Sequence, residues 1–268
     1  SRGGLNAINV VDVETYLRAV VPREIGHAGA YLEAAKAQAV AARTYVARHM
    51  GQYAREGYDL EAGTNDQVYG TLDQRHPDAD RAVAATRGLI LVHDGRPIRA
   101  NYASTCGGRT AAVQESFNAD PLPYLVSQDD RVDGETACRT SRYFRWEVTW
   151  TAEELLRTLA RTVPDATGRP WQGTGLHELK VRERGPSGRA TLLEIETDRT
   201  TYEVKKGAIR AVLARPDGGA LRSTAFELDT DRRDGWVTRV TAEGRGWGHG
   251  VGMCQWGAMQ LSQDGYNY

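Results

Sequence analysis

The stretch Leu32-Glu-Ala-Ala-Lys-Ala-Gln-Ala-Val-Ala-Ala-Arg-Thr-Tyr45 has alanine at six of its fourteen positions and neither glycine nor proline. Alanine loses no side-chain entropy in a helix, so the run predicts a helix from Tyr31 to about Met50. Leu32, Lys36, Ala39, Arg43, Val46 and Met50 fall on one stripe at helical spacing. Lys36 and Arg43 therefore share a mostly apolar face, two turns or roughly 10 Å apart. A solvated helix would turn its cations the other way.

Working outward toward the N-terminus, Val10 to Val21 reads as a short strand running into a helix. Asp12 is the expected N-cap, and Tyr16, Leu17, Val20 and Val21 form an apolar face. Pro22 is expected to break that helix and leave Arg23-Glu24-Ile25-Gly26 in a turn. On the other side, residues 51–81 are polar and turn-rich, with Gln67-Val-Tyr-Gly70 as an extended island. A helix is expected at Ala82–Arg87, and a hairpin turning on Asp94-Gly95 between Leu89–Val92 and Ile98–Ala103. Ser104-Thr-Cys-Gly-Gly-Arg-Thr110 leaves that second strand, and Pro121, Pro123 and Asp129-Asp130 mark a long loop.

The second half mixes helices, expected at 152–162 and 207–214, with strands at 179–183, 190–197, 201–204, 225–228 and 236–243. The glycine-rich Gly244-Arg-Gly-Trp-Gly-His-Gly-Val-Gly-Met-Cys-Gln-Trp-Gly-Ala258 then feeds a last helix from about Met253 to Gln263. The expected fold class is α+β, with mixed helices and antiparallel strands. The most distinctive segments lie at the two ends, so residues 1–268 are expected to form a single interlocked domain.

Composition narrows the function. Lys and Arg number 34 against 35 Asp and Glu, so the net charge of −1 offers no attraction to nucleic acid. No apolar run approaches the roughly 20 residues needed to span a bilayer. The expectation is an exported protein whose signal or anchor has been removed from this chain. Of the three cysteines, Cys106 and Cys138 would suit a disulfide outside the cytoplasm. Three unpaired thiols, one or two of them buried as small hydrophobes, fit equally well.

Glu24 stands among Val20, Val21, Pro22 and Ile25. Exclusion of water there would raise its carboxyl, which is what a general acid needs near neutral pH. Arg23 opposes this if it turns the same way, and a glutamate after proline is ordinarily a solvated turn residue. Glycine at every second position from 244 to 252 supplies no Gly-x-Gly-x-x-Gly register, and a phosphate-loop lysine is missing. Alternating glycines instead let the backbone approach a ligand or a partner strand. His249 is a proton donor, a ligand contact or a satisfied core histidine. Trp247 and Trp256 are suited either to stacking on sugars or to packing.

Taken together, Tyr16–Gly26, Leu32–Tyr45, Gln67-Val-Tyr69, Ser104–Thr110 and Gly244–Ala258 resemble the SpoIID/LytB family of bacterial cell-wall proteins, from about Val10 to Gln260. That family includes stage II sporulation protein D-like lytic transglycosylases and amidase enhancers. The resemblance implies a secreted or envelope protein acting on peptidoglycan glycan strands at the bond after N-acetylmuramic acid, with Glu24 as acid and then base. Family members often have Glu-Met-Pro where this chain has Glu24-Ile25-Gly26. One acid suffices for such an enzyme, because the C6 hydroxyl of the sugar is an intramolecular nucleophile of large effective molarity. Glu33, Glu115 and Asp120 are the candidates if a second carboxylate is needed.

The resemblance further implies substrate contacts from Lys36, Arg43, Gln67, Tyr69, Tyr102, Ser104, Thr105, His249 and Gln255. Arg43 is expected to take a sugar carboxylate bidentately. The alternative it implies is a non-catalytic wall-binding enhancer of an N-acetylmuramoyl-L-alanine amidase, which would make that amidase a partner. Certain relatives carry cysteines and a histidine just ahead of Gln-Val-Tyr. Here Leu60, Asn65 and Asp66 stand in that neighbourhood, so no metal and no other cofactor is expected.

Overall fold

A computed structural model describes residues 7–26, 30–63, 65–70 and 76–268. Asp12 caps the first helix, α1 (Val13–Ile25), its Oδ1 accepting the Thr15 N–H at 3.1 Å. The expected break at Pro22 does not occur, and the helix runs one turn further. The ring removes one N–H near the C-terminal end, while its fixed φ suits a helix. Beyond it Ile25 is only 3% exposed, and its burial offsets the lost hydrogen bond. Glu24 therefore stands on the last turn of a helix rather than in a loop.

Helix α2 (Leu32–His49) follows the expected span within a residue or two. Its buried set is wider than one stripe: Ala34, Ala35, Gln38, Ala39, Val40, Ala41, Ala42, Arg43, Thr44 and Val46. Alanine has no bulk beyond Cβ, so other elements approach this helix from several sides. Met50, expected on the buried stripe, is 59% exposed.

Helix α3 (Pro77–Ala85) begins five residues before the expected start at Ala82. Pro77 occupies the first helical position, and His76 Nδ1 accepts the Asp78 N–H at 3.3 Å. Strands β1 (Val92–His93) and β2 (Arg96–Pro97) form the expected hairpin, with φ of +48° at Asp94 and +70° at Gly95.

The chain divides into two compact units, one reaching to Asn101 and including Ala258–Tyr268, the other Tyr102–Gly257. The C-terminal residues 258–268 thus count with the N-terminal helices. In the second unit β3 (Tyr102–Ala103), α4 (Val113–Ser116), β4 (Arg131–Val132) and β5 (Glu135–Thr136) precede its main core. That core is built on α5 (Ala152–Thr167), β7 (Leu176–Arg184), β8 (Ala190–Thr197), β9 (Thr201–Lys205) and α6 (Ala208–Val212). It also takes in β6 (Trp146–Thr151), β10 (Phe226–Arg233) and β11 (Trp236–Gly244).

The strands of this core make two three-stranded antiparallel sheets, β7-β8-β9 and β10-β11-β6. Strand β6 has no counterpart in the sequence expectations. Its alternation of Trp146, Val148 and Trp150 inward is nevertheless clear once paired with β11. Helix α5 starts with a reciprocal cap between Thr151 and Glu154 and buries Leu155, Leu159 and Val163 one turn apart. Strand β12 (Met253–Cys254) pairs parallel with β3, and α7 (Gln255–Gln263) follows it. The molecule is α+β, and among the described residues no helix is long and apolar enough to cross a membrane.

Candidate active site

In the first unit, residues 67–70 lie along α1 like a strap. The Val68 N–H donates to Glu24 Oε1 at 2.8 Å, and the Gly70 N–H to the Ala19 carbonyl at 3.1 Å. Tyr16 donates its phenol to Gln67 Oε1 at 3.2 Å and stacks on Tyr69, ring centroids 5.1 Å apart. Gln67 also donates to the Ala42 carbonyl on α2, and Tyr45 donates to Asp66 at 2.7 Å. Burial, together with the nearby Asp66 and Glu24 carboxylates, pushes the Tyr16 phenol well above its usual range. The half-buried Glu24 thus has one oxygen oriented by a backbone amide, on a helix turn rather than on a mobile loop.

Tyr69 and Tyr16 also line a cleft of about 560 Å³, with Asn9, Val46, Tyr58 and Glu61 among its walls. Its size and mixed lining suit a small polar ligand such as a sugar ring. Lys36 donates to Glu33 Oε1 at 2.6 Å and lies 5.3 Å from the Tyr268 ring centroid.

Arg43 does not serve the expected role. Its Nε and Nη2 donate to the two oxygens of Glu14 at 2.9 and 2.8 Å, and Nη1 to the Leu89 carbonyl at 3.0 Å. Only 4% exposed, the guanidinium has its planar fork taken by Glu14 and leaves no face for a sugar carboxylate. It ties α2 to α1 and to the chain after α3. Gln67, expected to contact substrate, is fully buried and positions the strap instead.

In the second unit, Ser104–Gly108 and the glycine-rich segment run against each other. Thr105 and Trp247 exchange backbone hydrogen bonds at 3.1 and 2.8 Å. A Cβ on Gly246 (φ +78°) would lie 2.5 Å from the Thr105 carbonyl oxygen, and one on Gly107 (φ +79°) 2.8 Å from the Gly246 nitrogen. The glycines there serve a backbone crossing, one of the two expectations for them.

Thr105, fully buried, shares a 2.8 Å hydrogen bond with Ser141 and cannot touch a ligand as it stands. Ser104 and Tyr102 are half-buried. Gln255 is 7% exposed at the start of α7. His249 is half-buried, and its Nδ1 accepts the Val251 N–H at 3.0 Å, so the neutral ring carries its proton on Nε2. Trp247, 36% exposed, meets Tyr143 edge-on at 4.0 Å and presents aromatic surface to solvent. Glu115, a candidate second carboxylate, is 1% exposed and accepts N–H groups of Ala112 and Ser187, which makes it structural. Asp120 is exposed and Glu33 is engaged by Lys36.

Residues 1–93, which carry α1, α2 and the strap, match the Stage II sporulation protein (SpoIID) family. Over those residues the chain is similar to the SpoIID/LytB family. Residues 132–252 match a domain of unknown function, DUF8618. An uncharacterized protein of Brachyspira hyodysenteriae is 29% identical over 96% of the chain, which spans 62% of that protein. The amidase enhancer of Bacillus subtilis is 26% identical over 94% of the chain, which spans 38% of it. Stage II sporulation protein D of Bacillus subtilis is 29% identical over 97% of the chain, which spans 71% of it.

Along the chain, the candidate residues fall into two groups. Glu24, Lys36, Arg43, Gln67 and Tyr69 belong to the first unit, and Tyr102, Ser104, Thr105, His249 and Gln255 to the second. Sequence reading missed Glu14 as the partner of Arg43 and Tyr16 as the hinge of the strap. A signal for Glu14 existed: it precedes the apolar face of α1 by one turn, where a carboxylate can reach a neighbouring helix. The cysteines are free, with Cys106 and Cys138 sulfurs 3.6 Å apart, so the disulfide expectation is not met.

Proposed function

We propose that this chain acts outside the cytoplasm on the bacterial cell wall, cleaving peptidoglycan glycan strands as a lytic transglycosylase. The observation that carries this reading is the setting of Glu24. The carboxylate is half-buried on the last helical turn, has Oε1 fixed by the Val68 amide, and is joined through that strap to a tyrosine-lined cleft. Such orientation is what a group that first gives and then takes one proton requires. In the first step Glu24 protonates the glycosidic oxygen as the C1–O bond breaks. In the second, the carboxylate removes the proton from the C6 hydroxyl as that oxygen closes on C1. No water is consumed and a 1,6-anhydro end results. Tyr69 is suited to hold a sugar face.

The Glu24→Gln variant tests this, because the amide oxygen still accepts the Val68 N–H and spares the strap. Purified glycan strands, with and without stem peptides, would be incubated with both proteins and the ends read by mass spectrometry. Anhydro ends from the wild type, reduced by about 10²–10⁴-fold in the variant, are expected. Reducing ends would mean hydrolysis and refute the single-acid mechanism.

Similarity to the Bacillus subtilis amidase enhancer favours a second reading, a wall-binding protein that stimulates an amidase. Absence of cleavage by both proteins, with binding retained, would select it.

A further inference from the structure

We propose that Cys106, Cys138, Cys254 and Asp130 bind a zinc-class divalent metal ion in a closed structural site of the second unit. The three sulfurs and a carboxylate oxygen of Asp130 all lie within 4.8 Å of one another. Cys106 and Cys138 sulfurs are 3.6 Å apart. The edge of a tetrahedron with ~2.3 Å zinc–sulfur bonds is ~3.8 Å, whereas a disulfide needs ~2.05 Å. Four ligands, three of them soft thiolates, match zinc and disfavour magnesium or calcium, which take oxygen ligands.

The surroundings are arranged for anionic sulfur. The Cys106 N–H donates to Cys254 Sγ at 3.2 Å, and the Gly108 N–H to Cys106 Sγ at 3.3 Å. Backbone donors of this kind spread the charge of a metal-bound thiolate and hold its direction. Among the described residues Asp130 Oδ2 is buried with no hydrogen-bond partner, an expensive state for a carboxylate oxygen that a cation would relieve.

Arg189 supplies an independent observation. Fully buried, it donates from Nη2 to the Cys106 carbonyl at 2.9 Å, while among the described residues its Nε and Nη1 have no hydrogen-bond partner. Its guanidinium packs where a Cβ on Gly250 would sit, 2.2 Å from Nη2. Three thiolates and a carboxylate around one divalent ion carry a net charge of −2, and a buried guanidinium beside them offsets half of it. Phe144 and Trp256 pack against the cysteines and keep water away.

The expectation of no metal came from the residues ahead of Gln67. This cluster draws instead on segments as far apart as residues 106 and 254, which only folding unites. Binding would release the protons of the thiols it deprotonates and join the Ser104–Gly108 turn, the loop holding Asp130 and Cys138, and β12.

Metal content of the purified chain after equilibration with zinc and removal of unbound ion is the first test. About one zinc per chain is expected, with the three thiols protected from alkylation until a chelator is added. Cobalt in its place should give thiolate-to-metal charge-transfer absorption and the visible bands of a tetrahedral ion. Cys138→Ser should abolish both. Should that variant not fold, Asp130→Asn, nearly isosteric, should still fold and bind zinc at least about 10-fold more weakly by chelator competition. A folded wild type that retains no metal would overturn the proposal. So would a disulfide between any two cysteines in the zinc-equilibrated protein, or bound cobalt without thiolate absorption. None of these readouts involves glycan cleavage.

Discussion

Replacing Arg43 separates a structural cation from a substrate-binding one. In Arg43→Met the apolar stem survives, but Glu14 loses both charged hydrogen bonds and keeps the Gly88 N–H at 3.2 Å. Contacts to the carbonyls of Leu89, Val83 and Ala39 are lost as well. Breaking a buried ion pair from one side costs about 3–5 kcal/mol, and the 14% exposure of the Glu14 side chain places this pair near the lower figure. For a unit of this size that lowers the melting temperature by more than about 10 °C.

The assay is thermal and urea unfolding followed by far-ultraviolet circular dichroism. Every tryptophan lies between residues 146 and 256, so tryptophan emission reports the second unit alone. Glu14→Gln and the double variant complete a cycle in which the coupling should be about 1–3 kcal/mol.

The pH dependence has a definite sign. The Arg43 guanidinium holds the Glu14 carboxyl below its usual range, although burial opposes it. The contribution of the pair is therefore complete above the unfolded value of ~4.3 and is lost as pH falls through the lower folded value. The deficit of Arg43→Met should shrink over that acid range. Additive single costs, or an unchanged melting temperature with lost glycan binding, would refute the structural role.

Two further outcomes are expected. Gly246→Ala places a methyl group 2.5 Å from the Thr105 carbonyl oxygen at a φ of +78°, and should destabilise the second unit by at least about 2 kcal/mol in urea unfolding. Asp198, held to about 2 mainly by the Thr174 N–H and also by its hydroxyl and the Gly175 N–H, stabilises the fold above the ordinary carboxylate range. Asp198→Asn should therefore melt below the wild type at neutral pH, and the gap should close between about pH 4 and pH 2. A constant gap would show that the carboxylate charge is not what Thr174 and Gly175 hold.

Local signals in the chain were sufficient for most elements. The alanine run of α2, the Asp12 cap, the Asp94-Gly95 turn and the starts of α5 and β8 all depend on residues within a few positions of one another. Reading failed where packing outweighed propensity. Pro22 was tolerated because Ile25 beyond it is buried, and α3 began early at a proline whose fixed φ suits a first turn. The candidate site was legible as a set of residues, and Glu24 was found from its apolar neighbours and the family pattern. The partners of those residues were not legible. Arg43 and Glu14 are 29 positions apart, and Glu24 and Val68 are 44.

By itself, then, the sequence determined the fold class, the family resemblance and the positions at which chemistry is plausible, since periodicity, capping and motif spacing are short-range properties. Tertiary structure alone decided that Arg43 answers to Glu14 and that Gly107 and Gly246 let two backbones cross. It also decided that Cys106, Asp130, Cys138 and Cys254 converge on one point. Hydrogen bonds, ion pairs and metal coordination act over a few ångströms of space, and separation along the chain does not reveal which groups will come within that range.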